Sequence, residues 1–151
     1  MSTPELPKAE DFMNTRVECL SPDTGIDVAV HTLLRRGYSG APVVDDDHRL
    51  LGVISEHDCI KVLADALYEG WPSGKVADHM ATEVDTVSPH DDLLSIASRF
   101  SNGKHRRLPV VEDGRVVGLI TRADLTRELD KLIAPPKHVS TYDMIQARRR
   151  K

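Results

Sequence analysis

Apolar residues recur along this chain at two spacings, and the same succession of spacings occurs twice. Ile26, Ala29, Val30 and Leu33 fall at i, i+3, i+4 and i+7, and so do Leu93, Ile96, Ala97 and Phe100. This is the stripe of a half-buried helix. A short β-prone stretch precedes each stripe, Val17 to Leu20 and Val84 to Val87. Between stretch and stripe lie Ser21-Pro22-Asp23-Thr24 and Ser88-Pro89-His90-Asp91, whose capping groups and proline predict a helix start. Gly37 and Gly103 fall where a C-terminal cap is expected. Two strands joined by a polar turn come next. Asp113-Gly114 predicts a tight hairpin between strands at Pro109 to Glu112 and Arg115 to Ile120, whereas Asp45 to Arg49 predicts a looser turn. A second helix follows each hairpin, from about Glu56 to Tyr68 and from about Arg122 to Ile133. Gly70-Trp71-Pro72-Ser73-Gly74 ends the first of these and links the two halves.

The halves are an internal repeat. Asp11-Phe12-Met13-Asn14-Thr15 returns as Asp78-His79-Met80-Ala81-Thr82, Ser21-Pro22 as Ser88-Pro89, and Pro42-Val43-Val44 as Pro109-Val110-Val111, all shifted by 67 residues. Gly52-Val53-Ile54-Ser55 with Asp58 returns as Gly118-Leu119-Ile120-Thr121 with Asp124, shifted by 66 because one turn is a residue shorter. The unit is β-α-β-β-α, so the chain is a mixed α/β (α+β) protein of two tandem copies, residues 9–70 and 76–133, followed by a tail, 134–151. A unit of roughly 50–60 residues is marginal alone. Two copies related by a pseudo-twofold and sharing one core are therefore expected.

Charge and composition narrow the function. Acidic residues outnumber basic ones, 24 to 20, and aromatics are only 4%, so neither bulk charge nor stacking platforms favour nucleic acid. No apolar run approaches the roughly 20 residues that span a bilayer, so no membrane partner is expected. Met1 to Phe12 lacks the apolar stretch of a signal peptide. Cys19 and Cys59 form no CxxC pair, and a reduced, cytoplasmic setting is the expectation. Both fall at apolar-patterned positions, as small core residues rather than nucleophiles. The histidines show no metal-ligand spacing, and there is no P-loop, GxGxxG or activated serine. No catalytic residue, metal site or required cofactor is expected, and the chain does not read as an enzyme.

The ordered double set of motifs resembles the CBS-domain pair, or Bateman module. The residues that carry the resemblance are Ser21-Pro22, Tyr38-Ser39-Gly40-Ala41-Pro42-Val43-Val44 and Gly52 to Asp58. In the second copy they are Ser88-Pro89, His105-Arg106-Arg107-Leu108-Pro109-Val110-Val111 and Gly118 to Asp124. The match runs from about Ala9 to Leu132. The resemblance implies a pseudo-twofold pair with two clefts between the copies, which take adenosine-containing ligands such as AMP, ADP or ATP. It also implies a homodimer, and a sensing role in which ligand occupancy alters the module and is read by an unidentified regulated protein. The alternative is a dimeric interaction scaffold whose clefts are empty or hold another ligand, such as S-adenosylmethionine.

Several residues could serve such a ligand. Ser55 to Asp58 and Thr121 to Asp124 each place a hydroxyl and a carboxylate at a strand-to-helix junction. One reading makes these pairs helix caps. The other gives each carboxylate a ribose diol to accept, with the phosphate near the helix N-terminus. Lys104-His105-Arg106-Arg107 either is a solvated basic loop or meets phosphate, whereas Gly37-Tyr38-Ser39-Gly40 in the first copy has no cation. By resemblance, the cleft of Thr121 and Asp124 takes adenine against Ser21 and Tyr38 to Gly40, with Arg106, Arg107 and Arg122 on its phosphates. The cleft of Ser55 and Asp58 takes adenine against Ser88 and His105 to Arg107, with Ser39, Gly40 and His57 at the phosphate end. The Asp124 cleft is expected to be the tighter phosphate site. The tail, with a short helix expected from Tyr142 to Arg150 and a basic end at Arg148 to Lys151, reads either as a flexible solvated end or as an arm on a dimer mate.

Overall fold

The computed structural model describes residues 5–103 and 105–133, and residues 145, 146 and 148 of the tail. Lys104 and the tail helix expected from Tyr142 to Arg150 lie outside the described residues, apart from those three tail positions. The elements run α1 (Ala9–Phe12), α2 (Ile26–Arg36), β1 (Gly40–Val44), β2 (Leu50–Ser55) and α3 (Glu56–Glu69), then α4 (Val76–His79), α5 (Leu93–Asn102), β3 (Arg107–Glu112), β4 (Arg115–Thr121) and α6 (Arg122–Leu132). Each copy therefore contributes a helix, an antiparallel hairpin and a second helix, in the expected order.

The hairpins follow the pattern of their residues. Strand β1 is buried along its whole length, while β2 and β4 bury alternate residues, as strands with one face on a core must. Asp113 and Gly114 both have positive φ, 52° and 80°, the type I′ geometry that joins two twisted strands in two residues. The β-prone stretches 17–20 and 84–87 are shorter than expected. Each reduces to one parallel bridge, Leu20 to Val43 and Val87 to Val110. Both residues are buried, so the apolar signal was one of core position more than of sheet length.

The caps of α2 and α5 lie later than Ser21 and Ser88. Gly25 and Asp92 occupy the N-cap positions, and Asp92 accepts the Ser95 N–H at 2.8 Å. The serine hydroxyls instead accept the N–H two residues on, Asp23 at 3.2 Å and His90 at 3.3 Å, so each closes a turn ahead of its helix. Gly37 ends α2 in the left-handed conformation, but Gly103 ends α5 extended, at φ −115°.

The expected single core is two cores, and each is completed by the other copy. One gathers Ile26, Ala29, Leu33, Val43, Ile54 and Val62 with Val76 and Met80 from the start of the second copy. The other gathers Leu93, Ile96, Leu108, Val110, Ile120 and Leu125 with Ala9, Phe12 and Met13 from the start of the first. Backbone bonds secure the exchange. Val76 N–H donates to Thr24, Ala77 to Pro22, Ala9 to Asp91 and Glu10 to Pro89, at 2.9–3.0 Å. Beyond the exchanged helices, Ala81 bridges Val53 and Asn14 bridges Leu119. Glycine permits this approach. A Cβ on Gly52 would stand 2.5 Å from the Ala81 carbonyl oxygen, and one on Gly118 would collide with the Met13 side chain. The hairpin tips also meet, Leu50 N–H donating to Gly114 and Val116 N–H to His48.

Because each core holds a piece of the opposite copy, the two halves are expected to unfold together. Urea denaturation followed by circular dichroism and by Trp71 fluorescence should give one coincident transition. Ile54→Ala, at a fully buried position, should lower the stability of that whole unit by about 2–5 kcal/mol. Two separated transitions would contradict the exchange.

Candidate functional site: two cavities between the repeats

The sequence-selected pairs at the strand-to-helix junctions are reciprocal caps. Ser55 Oγ accepts the Asp58 N–H at 3.3 Å, and Asp58 Oδ2 accepts the Ser55 N–H and hydroxyl, both at 2.9 Å. Thr121 and Asp124 repeat the arrangement at 3.2 and 2.9 Å. This satisfies donors at the start of α3 and α6 and sets a carboxylate where the helix dipole favours it. Both aspartates are half-buried. Asp124 Oδ1 lies 3.4 Å from Arg127 Nη1, whereas Asp58 Oδ1 has no hydrogen-bond partner among the described residues.

A cavity of about 640 Å³ opens beside the first of these caps. Ser55, Glu56 and His57 form its α3 side, and Ser39 stands next to them. The Glu56 N–H donates to the Ser39 carbonyl, which fixes that corner. His105, Arg106 and Arg107 form the opposite side from the second copy, with Pro42, Val53, Ile60, Leu108 and Leu119 as apolar surface. A second cavity of about 190 Å³ lies beside Thr121, lined by Arg16, Glu18, Tyr38, Ser39, Gly40 and Arg107 among others. A recess of about 300 Å³ along the end of α5 is walled by the second copy alone.

The structure thus brings Ser39, Ser55, His57, His105, Arg106 and Arg107 together, and Tyr38, Ser39, Gly40, Arg107 and Thr121 together. Arg106, expected on the phosphates of the Thr121 cleft, lines the larger cavity only, and Arg16 lines the smaller only, so with Arg107 in both walls each cavity holds two arginines. Ser21, Ser88, Arg122, Asp58 and Asp124 line neither cavity. Ser21 and Ser88 are engaged in their turns, and Arg122 is exposed on the first turn of α6.

Carboxylates that the sequence reading passed over share the larger wall: Glu56, Glu83 and Asp85. Asp85 Oδ2 stands 2.8 Å from His105 Nε2. The repeat held the signal. Arg16, Val17 and Glu18 line the smaller cavity at the positions equivalent to Glu83, Val84 and Asp85. Burial pushes the half-buried Arg107 guanidinium below its ordinary value. Glu56 opposes that shift and neighbouring Arg106 adds to it. An anion placed between the two guanidinium groups would remove their mutual repulsion and accept charge-assisted hydrogen bonds from both.

The family model for the CBS domain matches residues 9–65 and again 76–131. The chain belongs to the CBS-domain family. The CBS pair is 34% identical over 119 residues to the uncharacterized protein MJ1225 of Methanocaldococcus jannaschii, covering 79% of this chain and 41% of that protein. It is 30% identical over 129 residues to an A-adding tRNA nucleotidyltransferase of Aquifex aeolicus, covering 83% of this chain and 15% of the enzyme. The chain therefore spans less than half the length of either curated relative. Among solved structures, that of CBSX2 in complex with AMP superposes with a TM-score of 0.73 at 29% identity, covering 83% of this chain and 98% of that one. CBSX2 comes from Arabidopsis thaliana.

Among the described residues no group of histidine, cysteine and carboxylate side chains is placed to hold a metal ion, and no helix is long and apolar enough to cross a membrane. Burial raises both thiols, with Glu18 adding to the shift at Cys19 and Asp58, then Glu56, at Cys59.

Two measurements check this local chemistry. Thr121→Ala and Ser55→Ala should each cost about 1 kcal/mol in urea denaturation, the worth of a helix N-cap. The raised thiols bind their protons more tightly in the folded state than in the unfolded one. Their contribution to stability is complete below about pH 9 and is lost as the pH rises through the folded values. Alkylation of the native chain at pH 8 should be at least about tenfold slower than that of the urea-unfolded chain.

Proposed function

We propose that the chain is a non-catalytic regulatory module that takes an adenosine-containing ligand (AMP, ADP or ATP) in the larger cavity. The observation that carries this reading is the wall itself. Two copies of one repeat face each other across about 640 Å³, within the usual range for small-molecule sites, and the second copy's His105, Arg106 and Arg107 face the first copy's Ser55 and His57. The phosphate belongs between the two guanidinium groups and the start of α3. The adenine has Pro42, Val53, Ile60 and Leu119 to lie against. Asp58 does not itself line the cavity, but it lies in the first turn of α3 directly after the lining residues Ser55, Glu56 and His57 and has Oδ1 uncommitted, and we assign it the ribose. The AMP complex of the similar CBSX2 supports the ligand class.

A ligand held by both copies favours whichever separation of the copies it fits better, and a partner that distinguishes the two arrangements reads the occupancy. The proposal includes a homodimer in a reduced cytoplasm. The exposed apolar side chains of Ile60, Leu63 and Leu67 on α3 and Leu132 on α6 support the dimer, and two unpaired cysteines fit the compartment. No step of this role needs a bond made or broken.

A thermal-shift panel with AMP, ADP, ATP, S-adenosylmethionine and NAD tests the reading. An adenine nucleotide at a hundred times its dissociation constant should stabilise the chain by about 2.7 kcal/mol, and Asp58→Ala should weaken that binding by about 1.5–3 kcal/mol in calorimetry. Asp124→Ala should weaken it less, and the reverse order would return the phosphate site to the Thr121 side. No shift with any of the five ligands would favour the dimeric scaffold.

A further inference from the structure

The two copies end α2 and α5 differently, and a recess opens at the second of these ends. In the first copy Arg36, the last residue of α2, sets its Nε 3.0 Å from Glu18 Oε2. By the 67-residue shift of the repeat, Glu18 becomes Asp85 and Arg36 becomes Gly103. The acid is kept and its guanidinium is gone. Both Asp85 and Gly103 line the recess of about 300 Å³, and Ser98, Arg99, Asn102 and His105 complete its wall. His105 takes up part of the gap. A Cβ on Gly103 would stand 2.5 Å from its Cδ2, and its Nε2 lies 2.8 Å from Asp85 Oδ2. Among the described residues Arg99 is the one arginine of that wall, and it donates to the Thr86 carbonyl rather than pairing with Asp85.

We propose that this recess receives an arginine side chain of a protein partner, which supplies from outside the guanidinium that the first copy carries itself. The Asp85 side chain is 66% exposed and so open to a guest. A carboxylate accepts several donors at once, so a guanidinium there adds to the His105 contact rather than displacing it. The place favours a cation in a second way. It lies at the C-terminal end of α5, where the helix dipole attracts positive charge, and the positions that carry Arg35 and Arg36 on α2 are Asn102 and Gly103 here. A guanidinium suits the wall better than an ammonium, because its planar fork can engage the carboxylate together with the Asn102 or Ser98 side-chain oxygen. Leu94, 61% exposed, shares an α5 face with Ser98 and Asn102 at i, i+4 and i+8. An apolar contact beside a polar recess fits a segment of protein, with an arginine and an apolar residue about 12 Å apart, and not a free cation. Asp85 and His105 also stand in the wall of the larger cavity, whereas Ser98, Arg99, Asn102 and Gly103 do not, so the docking needs nothing bound between the copies.

NMR titration of the intact, nucleotide-free chain with the peptide acetyl-Leu-Ala-Ala-Arg-amide tests this, since its extended form sets the two side chains about 10 Å apart. The N–H signals of Ser98, Asn102 and Gly103 should shift and saturate. The same peptide with lysine for arginine should bind at least about tenfold more weakly, and so should the arginine peptide to Asp85→Asn. Gly103→Arg restores the guanidinium of the first copy and should exclude the peptide. No saturable shift, equal affinity for the lysine peptide, or undiminished binding by Asp85→Asn would overturn the site. Agmatine bound as tightly as the peptide would overturn the protein partner in favour of a free guanidinium compound. If Gly103→Arg does not fold, Asp85→Asn decides, because it changes an exposed side chain and keeps its shape. A chain that binds the peptide but no AMP would keep the recess and lose the nucleotide reading.

Discussion

Reciprocal exchange of the first helix is the constraint on which the rest of this structure depends. A copy of the repeat owns a stripe of apolar residues on α2 or α5 and a hairpin that carries a buried face, but it does not own enough surface to close over them. Val76 and Met80 close the first core, and Ala9, Phe12 and Met13 close the second. The segments that follow those helices then run on to Ala81 and Asn14, along the edges of the opposite hairpins. That routing brings the strand-to-helix junction of one copy against the strand entrance of the other, and the cavities form there. The cavity walls are thus a by-product of how the cores are completed.

Much of this was legible in the residues, and what escaped was governed by contacts distant in sequence. The i, i+3, i+4, i+7 stripes found α2 and α5, and Asp113-Gly114 found its turn because local sterics alone decide both. The Ser55–Asp58 and Thr121–Asp124 pairs marked helix starts that the coordinates show as reciprocal caps. The exchange left a trace in the repeated Asp-x-Met motif. Asp11 and Asp78 each accept a backbone N–H that opens a short helix, and Met13 and Met80 then pack over Gly118 and Gly52. Nothing local says that the motif belongs to the opposite core, so a single shared core was the natural expectation. Likewise, the resemblance set His105 to Arg107 against the Ser55 cleft, but not Arg106 to that cavity alone, because its placement depends on how the two copies approach.

The larger cavity is not a simple cationic pit. His105 is already engaged with Asp85, Glu56 faces Arg107, and Glu83 completes an acidic margin. The carboxylates offset the cations, so the wall as a whole carries no excess of positive charge. The smaller cavity inverts part of this arrangement, with Arg16 where the larger has Glu83. Duplication supplied two equivalent clefts, and substitution at a few facing positions has made them electrically different while the backbone that frames them stayed the same.

The exchanged helices also set an order of assembly. As the chain leaves the ribosome, the first hairpin and its flanking helices emerge before the piece that seals them, since Val76 and Met80 come after the whole of α3. Ala9 and Met13, synthesised before α5, β3 and β4, must wait unburied until those elements arrive to receive them. A nascent first half is therefore an open shell with a spare helix at its front, and the two halves come to rest as interlocked clasps rather than as beads on a string.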